Sequence, residues 1–73
     1  MAEGLNGRFG QVIRKERLRA GLSQERLAEM SGLHRTYISD LERGRTSISI
    51  RSLEGLAKAL GKKPHQLVRA AER

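Results

Sequence analysis

Seventy-three residues allow one small domain, whose core contributes only about 3–5 kcal/mol and commonly needs a staple or a partner. The absence of cysteine excludes disulfides, Cys-ligated metal and thiol chemistry, and it suits a reducing cytosol. Fifteen Lys and Arg against eight Asp and Glu leave a formal net charge of +7, which favours a polyanionic partner.

No apolar run approaches the roughly 20 residues that span a bilayer, and no segment combines a basic face with large aromatic anchors. The opening "MAEGLNGRFG" lacks the charged-then-apolar layout of a signal peptide, so a cytoplasmic protein without a membrane partner is expected.

Residues 1–7 carry two glycines and no periodic pattern, and they read as a flexible tail ahead of a single domain over 8–73. From Arg8 to Ala20, the spacing of Phe9, Val12 and Ile13 predicts a first helix closed by Gly21. Ser23 is an N-cap for a second helix, with Glu25 in its first turn and Leu27, Ala28 and Ser31 on its inner face. Gly32 turns the corner into a third helix from about His34 to Arg43, which buries Ile38 and Leu41 and is closed by Gly44.

Ser49 can cap a fourth helix, about Ile50 to Leu60, striped by Leu53, Leu56, Ala57 and Leu60. Gly61 stops it. Pro64 opens a fifth helix with Leu67, Val68 and Ala71 on one side. The expected fold is all-α, with five short helices and no strand.

Two helices joined by a glycine turn in a basic chain suggest a DNA-binding helix-turn-helix at about 23–43. Ala28 lies four residues before Gly32, where a small side chain lets two helix axes cross closely. With Ile38 and Leu41 inside, the outward stripe of the third helix is Arg35, Thr36, Ser39, Asp40 and Arg43. An unpaired helix can present such a face to the major groove.

The stretches "LSQERLAEMSGLHRTYISDLERG" (22–44) and "SLEGLAKALG" (52–61) resemble the phage-repressor and Cro-like helix-turn-helix family. The resemblance runs from about Phe9 to Val68 and implies a compact five-helix domain of the lambda-repressor kind. Within the family, "GLHRTYISDLERG" followed by a Ser/Ile-rich loop looks most like the restriction–modification controller proteins. This implies a sequence-specific regulator of transcription that binds double-stranded DNA as a homodimer over a palindromic operator.

Residue by residue, the resemblance places Arg35 and Thr36 at base-contacting positions. Arg can hold guanine O6 and N7 with two hydrogen bonds, and Thr can touch a thymine methyl. Ser39 and Asp40 follow on the same stripe. Asp40 either accepts from cytosine N4 or orients Arg43 at i+3, and the orienting role is the favoured one. Ser23 and Gln24, at a helix N-terminus, suit the phosphate backbone, as do Arg43, Arg45, Thr46 and Ser47 beyond the recognition helix. Tyr37 either reaches a phosphate or packs its ring at the domain edge.

Arg17 and Glu42 match a family pair that ties the first helix to the end of the third. Ile48, Leu67, Val68 and Ala71 form an apolar set for a dimer interface. Gly55, inside the fourth helix, suggests either the close approach of a partner subunit or an unconstrained exposed site.

No phosphate-binding Gly-rich loop and no nucleophile beside a base are present, so neither enzymatic activity nor a small-molecule substrate is expected. His34 and His65 have no metal-ligand spacing to carboxylates, so neither a metal nor a cofactor is expected. His34 is expected to cap or flank the third helix. The competing function is an antitoxin-like interaction module that also binds DNA. Only "AAER" follows the fifth helical stripe, which is short for a toxin-neutralising tail.

Overall fold

The computed structural model describes residues 4–73. Five helices follow one another: α1 (Leu5–Arg19), α2 (Gln24–Ser31), α3 (Arg35–Glu42), α4 (Ile50–Ala59) and α5 (Pro64–Glu72). The described residues measure 27 × 23 × 22 Å and contain no strand. None of these helices is long and apolar enough to cross a membrane.

Each helix buries the stripe that its spacing sets. Ile13, Leu27, Ile38, Leu41, Leu56 and Leu67 are fully enclosed, one or two from every helix, so a single core joins all five. α1 packs on α3 and α5, and α2 packs on α3 and α4. Helices this short are marginal alone in water, and their shared apolar faces hold them.

The expected tail is corrected in part. Residues 1–3 lie outside the described residues, but α1 already begins at Leu5, with Gly4 as its N-cap, and Gly7 is buried. Burial of Gly7 outweighs the weak helix propensity of the glycines, which had marked this stretch as irregular.

At the corner between α2 and α3, Gly32 adopts φ +73°, a left-handed conformation that costs other residues roughly 1–2 kcal/mol. The Leu33 N–H donates to the Ala28 carbonyl at 2.9 Å, which satisfies the end of α2 as the chain turns. Ser23 and Ser49 cap α2 and α4 through their hydroxyls, accepting from the N–H groups of Arg26 and Ser52.

Two glycines mark close crossings. A methyl group added at Gly55 would lie 2.7 Å from the Ser31 carbonyl oxygen, so α4 passes directly under the end of α2. The neighbour that needs this glycine is thus within the chain; neither a partner subunit nor an unconstrained site is required. Gly10 is tighter still, since an added methyl would collide with the backbone carbonyls of Leu41 and Glu42 at the end of α3.

Candidate nucleic-acid interface

α3 is held at its C-terminal end by an ion pair with almost no solvent around it. Arg17 donates through Nε to Glu42 Oε2 at 2.7 Å and through Nη2 to Oε1 at 3.1 Å. The two side chains are only 9% and 3% exposed. The third arm of the guanidinium, Nη1, donates to the Leu22 carbonyl at 2.8 Å, in the turn before α2. Gln24 Nε2 adds a donor to Glu42 Oε1 at 3.1 Å. One carboxylate therefore gathers α1 and α2 at the end of α3, and each of the three guanidinium nitrogens of Arg17 meets an acceptor.

With Ile38 and Leu41 in the core, α3 leaves Arg35 and Thr36 exposed at its start and Arg43 exposed at its C-cap. Ser39 and Asp40 lie between them, half-buried. No ion pair joins Asp40 to Arg43 among the described residues, so the orienting role is corrected. An exposed i, i+3 pair contributes only about 0.2–0.5 kcal/mol, too little to fix two flexible side chains. The Asp40 carboxylate is left with its acceptor capacity unspent.

The flanks of the stripe come from the start of α2 and the loop after α3. Ser23 is exposed; its oxygen accepts from the Arg26 N–H at 3.0 Å while its hydroxyl hydrogen stays available. Gln24 keeps a second amide hydrogen beyond the one given to Glu42. In the loop, the Arg45 N–H donates to the Asp40 carbonyl at 2.9 Å, which turns the chain back beside α3. Arg45 and Ser47 are exposed, and Thr46 is half-buried.

Tyr37 packs its ring at the edge of the core and donates its hydroxyl to the Ser47 carbonyl at 3.3 Å. The Thr46 hydroxyl meets the same carbonyl at 3.4 Å. Tyr37 thus braces the loop. His34 occupies the N-cap position of α3, but its side chain makes no capping bond.

The dimer set is corrected more heavily. Leu67 and Ala71 are 2% and 1% exposed and belong to the core, where α5 packs on α1. Ile48 and Val68 are half-buried against that core. Among the described residues, the large apolar side chain standing furthest into solvent is Ile50, 83% exposed in the first turn of α4. A shallow groove between α4 and α5, lined by Leu53, Pro64 and Val68 together with His65, Arg69 and Glu72, adds further apolar surface. Ile50 sits three residues before Leu53, and the core stripe alone gives no sign that α4 outruns its cover there.

A glycine corner, a shielded anchor at the far end of the second motif helix and an exposed polar stripe between them form one geometry. Residues 13–67 match the helix-turn-helix family. The chain belongs to that family. It is 49% identical over 61 residues to Control protein C.BamHI of Bacillus amyloliquefaciens, a match covering 82% of this chain and 75% of that one.

Among solved structures, the restriction-modification controller protein C.AhdI from Aeromonas hydrophila superposes with a TM-score of 0.83 at 44% identity. That match covers 85% of this chain and 94% of the other. The wild-type controller protein C.Esp1396I superposes with a TM-score of 0.82 at 38% identity, over 93% and 87% of the two chains. This helix-turn-helix protein is a DNA-binding transcriptional regulator, and controller proteins are among its close relatives. In helix-turn-helix terms, α3 is the recognition helix and α2 the helix that crosses the backbone.

Proposed function

We propose that the chain is a regulator of the restriction–modification controller type that reads a two-fold symmetric operator as a homodimer. The observation that carries this reading is the α3 stripe, exposed at Arg35 and Thr36 and anchored at Glu42 by two other helices. Laid in a major groove, Arg35 grips guanine, Thr36 meets a base edge or a thymine methyl, and Ser39 lies against the next pair. Asp40, unpaired with Arg43, accepts from cytosine N4. Ser23 and Gln24 on one flank and Arg43, Arg45, Thr46 and Ser47 on the other hold phosphates and set the register. Tyr37 supports that second flank through Ser47. The protein acts by binding alone in the cytoplasm, with no cofactor and no catalytic step.

Selection from a random double-stranded pool at physiological salt should enrich a symmetric motif. Arg35→Ala should then lose preference at one position in each half-site, weakening binding about 5- to 150-fold for each half-site, the equivalent of 1–3 kcal/mol per contact. Its melting temperature should not change. Retention without enrichment, vanishing as salt rises, would mean that charge alone binds DNA.

The second copy docks through Ile50 with the Leu53, Pro64 and Val68 groove, the apolar surface that the core leaves uncovered. Ile50→Asp should shift the protein to a monomer in sedimentation equilibrium while leaving its fold intact. An unchanged dimer would place the interface elsewhere.

A further inference from the structure

Much of the positive charge sits away from the recognition stripe. Two open grooves, one along α5 alone and one between α1 and α5, adjoin at Ala70 and Arg73 and together make up an α1–α5 channel. Arg8, Gln11 and Lys15 line it from α1, and His65, Arg69 and Arg73 line it from α5. Among the described residues no Asp or Glu side chain lines either groove, whereas the recognition stripe sets Asp40 among its arginines. Lys15, Arg69 and Arg73 are exposed, and no carboxylate pairs with them among the described residues. His65, Arg69 and Arg73 recur every fourth residue, which spaces them roughly 6 Å apart along one face of α5. Arg8 is fixed in the channel, its Nε donating to the Ala71 carbonyl at 2.9 Å.

The channel points away from α3. α1 meets α3 through Gly10 and Arg17. At about 100° per residue, Arg8, Gln11 and Lys15 lie roughly 140° around α1 from that contact line. A duplex seated on α3 therefore leaves these charges unused.

We infer that the α1–α5 channel is a second nucleic-acid surface, which holds the phosphate backbone of a second DNA duplex while α3 engages the first. Guanidinium forks match phosphate oxygens, and backbone contacts of this kind carry no sequence preference. A protein partner would need an apolar or aromatic anchor in a pocket, and the channel offers only Val12 and alanines. The inference rests on the chain being a DNA-binding regulator, and bridging adds a property that operator reading does not require.

The test uses the full chain, a bead-bound duplex and a labelled duplex of unrelated sequence, with capture of the label followed across a salt series. Wild type should capture the label. Lys15→Gln/Arg73→Gln, which leaves the α4–α5 groove untouched, should capture several-fold less, with a slope against log salt shallower by about 2, near 0.9 for each phosphate contact removed. Its retention on the bead duplex and its thermal melt should match wild type.

No capture by wild type, or equal capture by the variant, overturns the inference. So does a parallel loss of bead retention, which would place the channel on the flanks of the first duplex. Competition by poly-glutamate for a protein that captures no second duplex would assign the channel to an acidic protein instead. If no operator emerges from selection, operator reading fails on its own. An unselected bead duplex at low salt still reads the channel.

Discussion

Arg17→Ala should destabilise the domain by about 3–5 kcal/mol, the cost of leaving a buried carboxylate without its cation. That is as much as a core of this size commonly supplies, so the variant should be largely unfolded at 25 °C in a urea titration followed by circular dichroism. Surface pairs give the contrast. Arg26–Glu29, exposed by 61% and 64%, belongs to a class that contributes at most about 1 kcal/mol. Arg26→Ala should therefore leave the midpoint almost where it was. An Arg17→Ala protein as stable as wild type would show that water reaches Glu42 in solution.

Stability and recognition separate in a second variant. Replacing both partners, as Arg17→Met/Glu42→Leu, removes the uncompensated charge along with the pair, and exchanges of this kind are often neutral or stabilising. The domain should fold. It would nevertheless lose the acceptor for Gln24 Nε2, which fixes the start of α2 against the end of α3. A hydrogen bond to a charged group contributes about 1.5–3 kcal/mol, so operator binding should weaken roughly tenfold or more in a folded protein. Full affinity in that variant would mean that the network serves the fold alone and leaves the pose of α3 to apolar packing.

The helices were legible because apolar spacing and stop residues agree at each one. Ile38 and Leu41 define the buried side of α3, and with it the exposed side, so Arg35, Thr36 and Arg43 followed from position alone. Arg17 and Glu42 lie 25 residues apart, and only the family resemblance brought them together. Gln24 was expected at phosphate, and its bond to Glu42 depends on a crossing that local pattern does not encode.

Half of the dimer set, Leu67 and Ala71, failed for a related reason. Leu67 and Ala71 form an i, i+4 stripe like any other, and spacing gives its direction on α5 but not the helix that covers it. α1 covers it, while the first turn of α4 has no such cover and leaves Ile50 in solvent. The Asp40–Arg43 pair was permitted by spacing, but its energy was too small to decide it.

Gly10→Ala should be the more damaging of two glycine substitutions that helix propensity alone would score as improvements. In a helix interior, alanine is favoured over glycine by about 1 kcal/mol, so a free helix would gain from either change. Packing reverses the sign. At Gly10 the added methyl meets the carbonyl oxygens of both Leu41 and Glu42, and the obstacle is backbone. Relief requires α1 to move off α3, which opens the Ile13–Leu41 core and stretches the Arg17–Glu42 pair about two helical turns away.

Overpacking commonly costs about 1–3 kcal/mol where side chains can yield, and a backbone obstacle belongs at or beyond the top of that range. Gly55→Ala meets one carbonyl, that of Ser31 in the last turn of α2, where a small shift of the helix end is possible. Its net cost should be nearer 1–2 kcal/mol on the same scale. Urea midpoints should therefore fall in the order wild type, Gly55→Ala, Gly10→Ala, with the last unfolded or nearly so. If Gly10→Ala instead gained the stability that propensity promises, α1 and α3 would have to lie further apart than this crossing allows, and the anchor at Glu42 could not close.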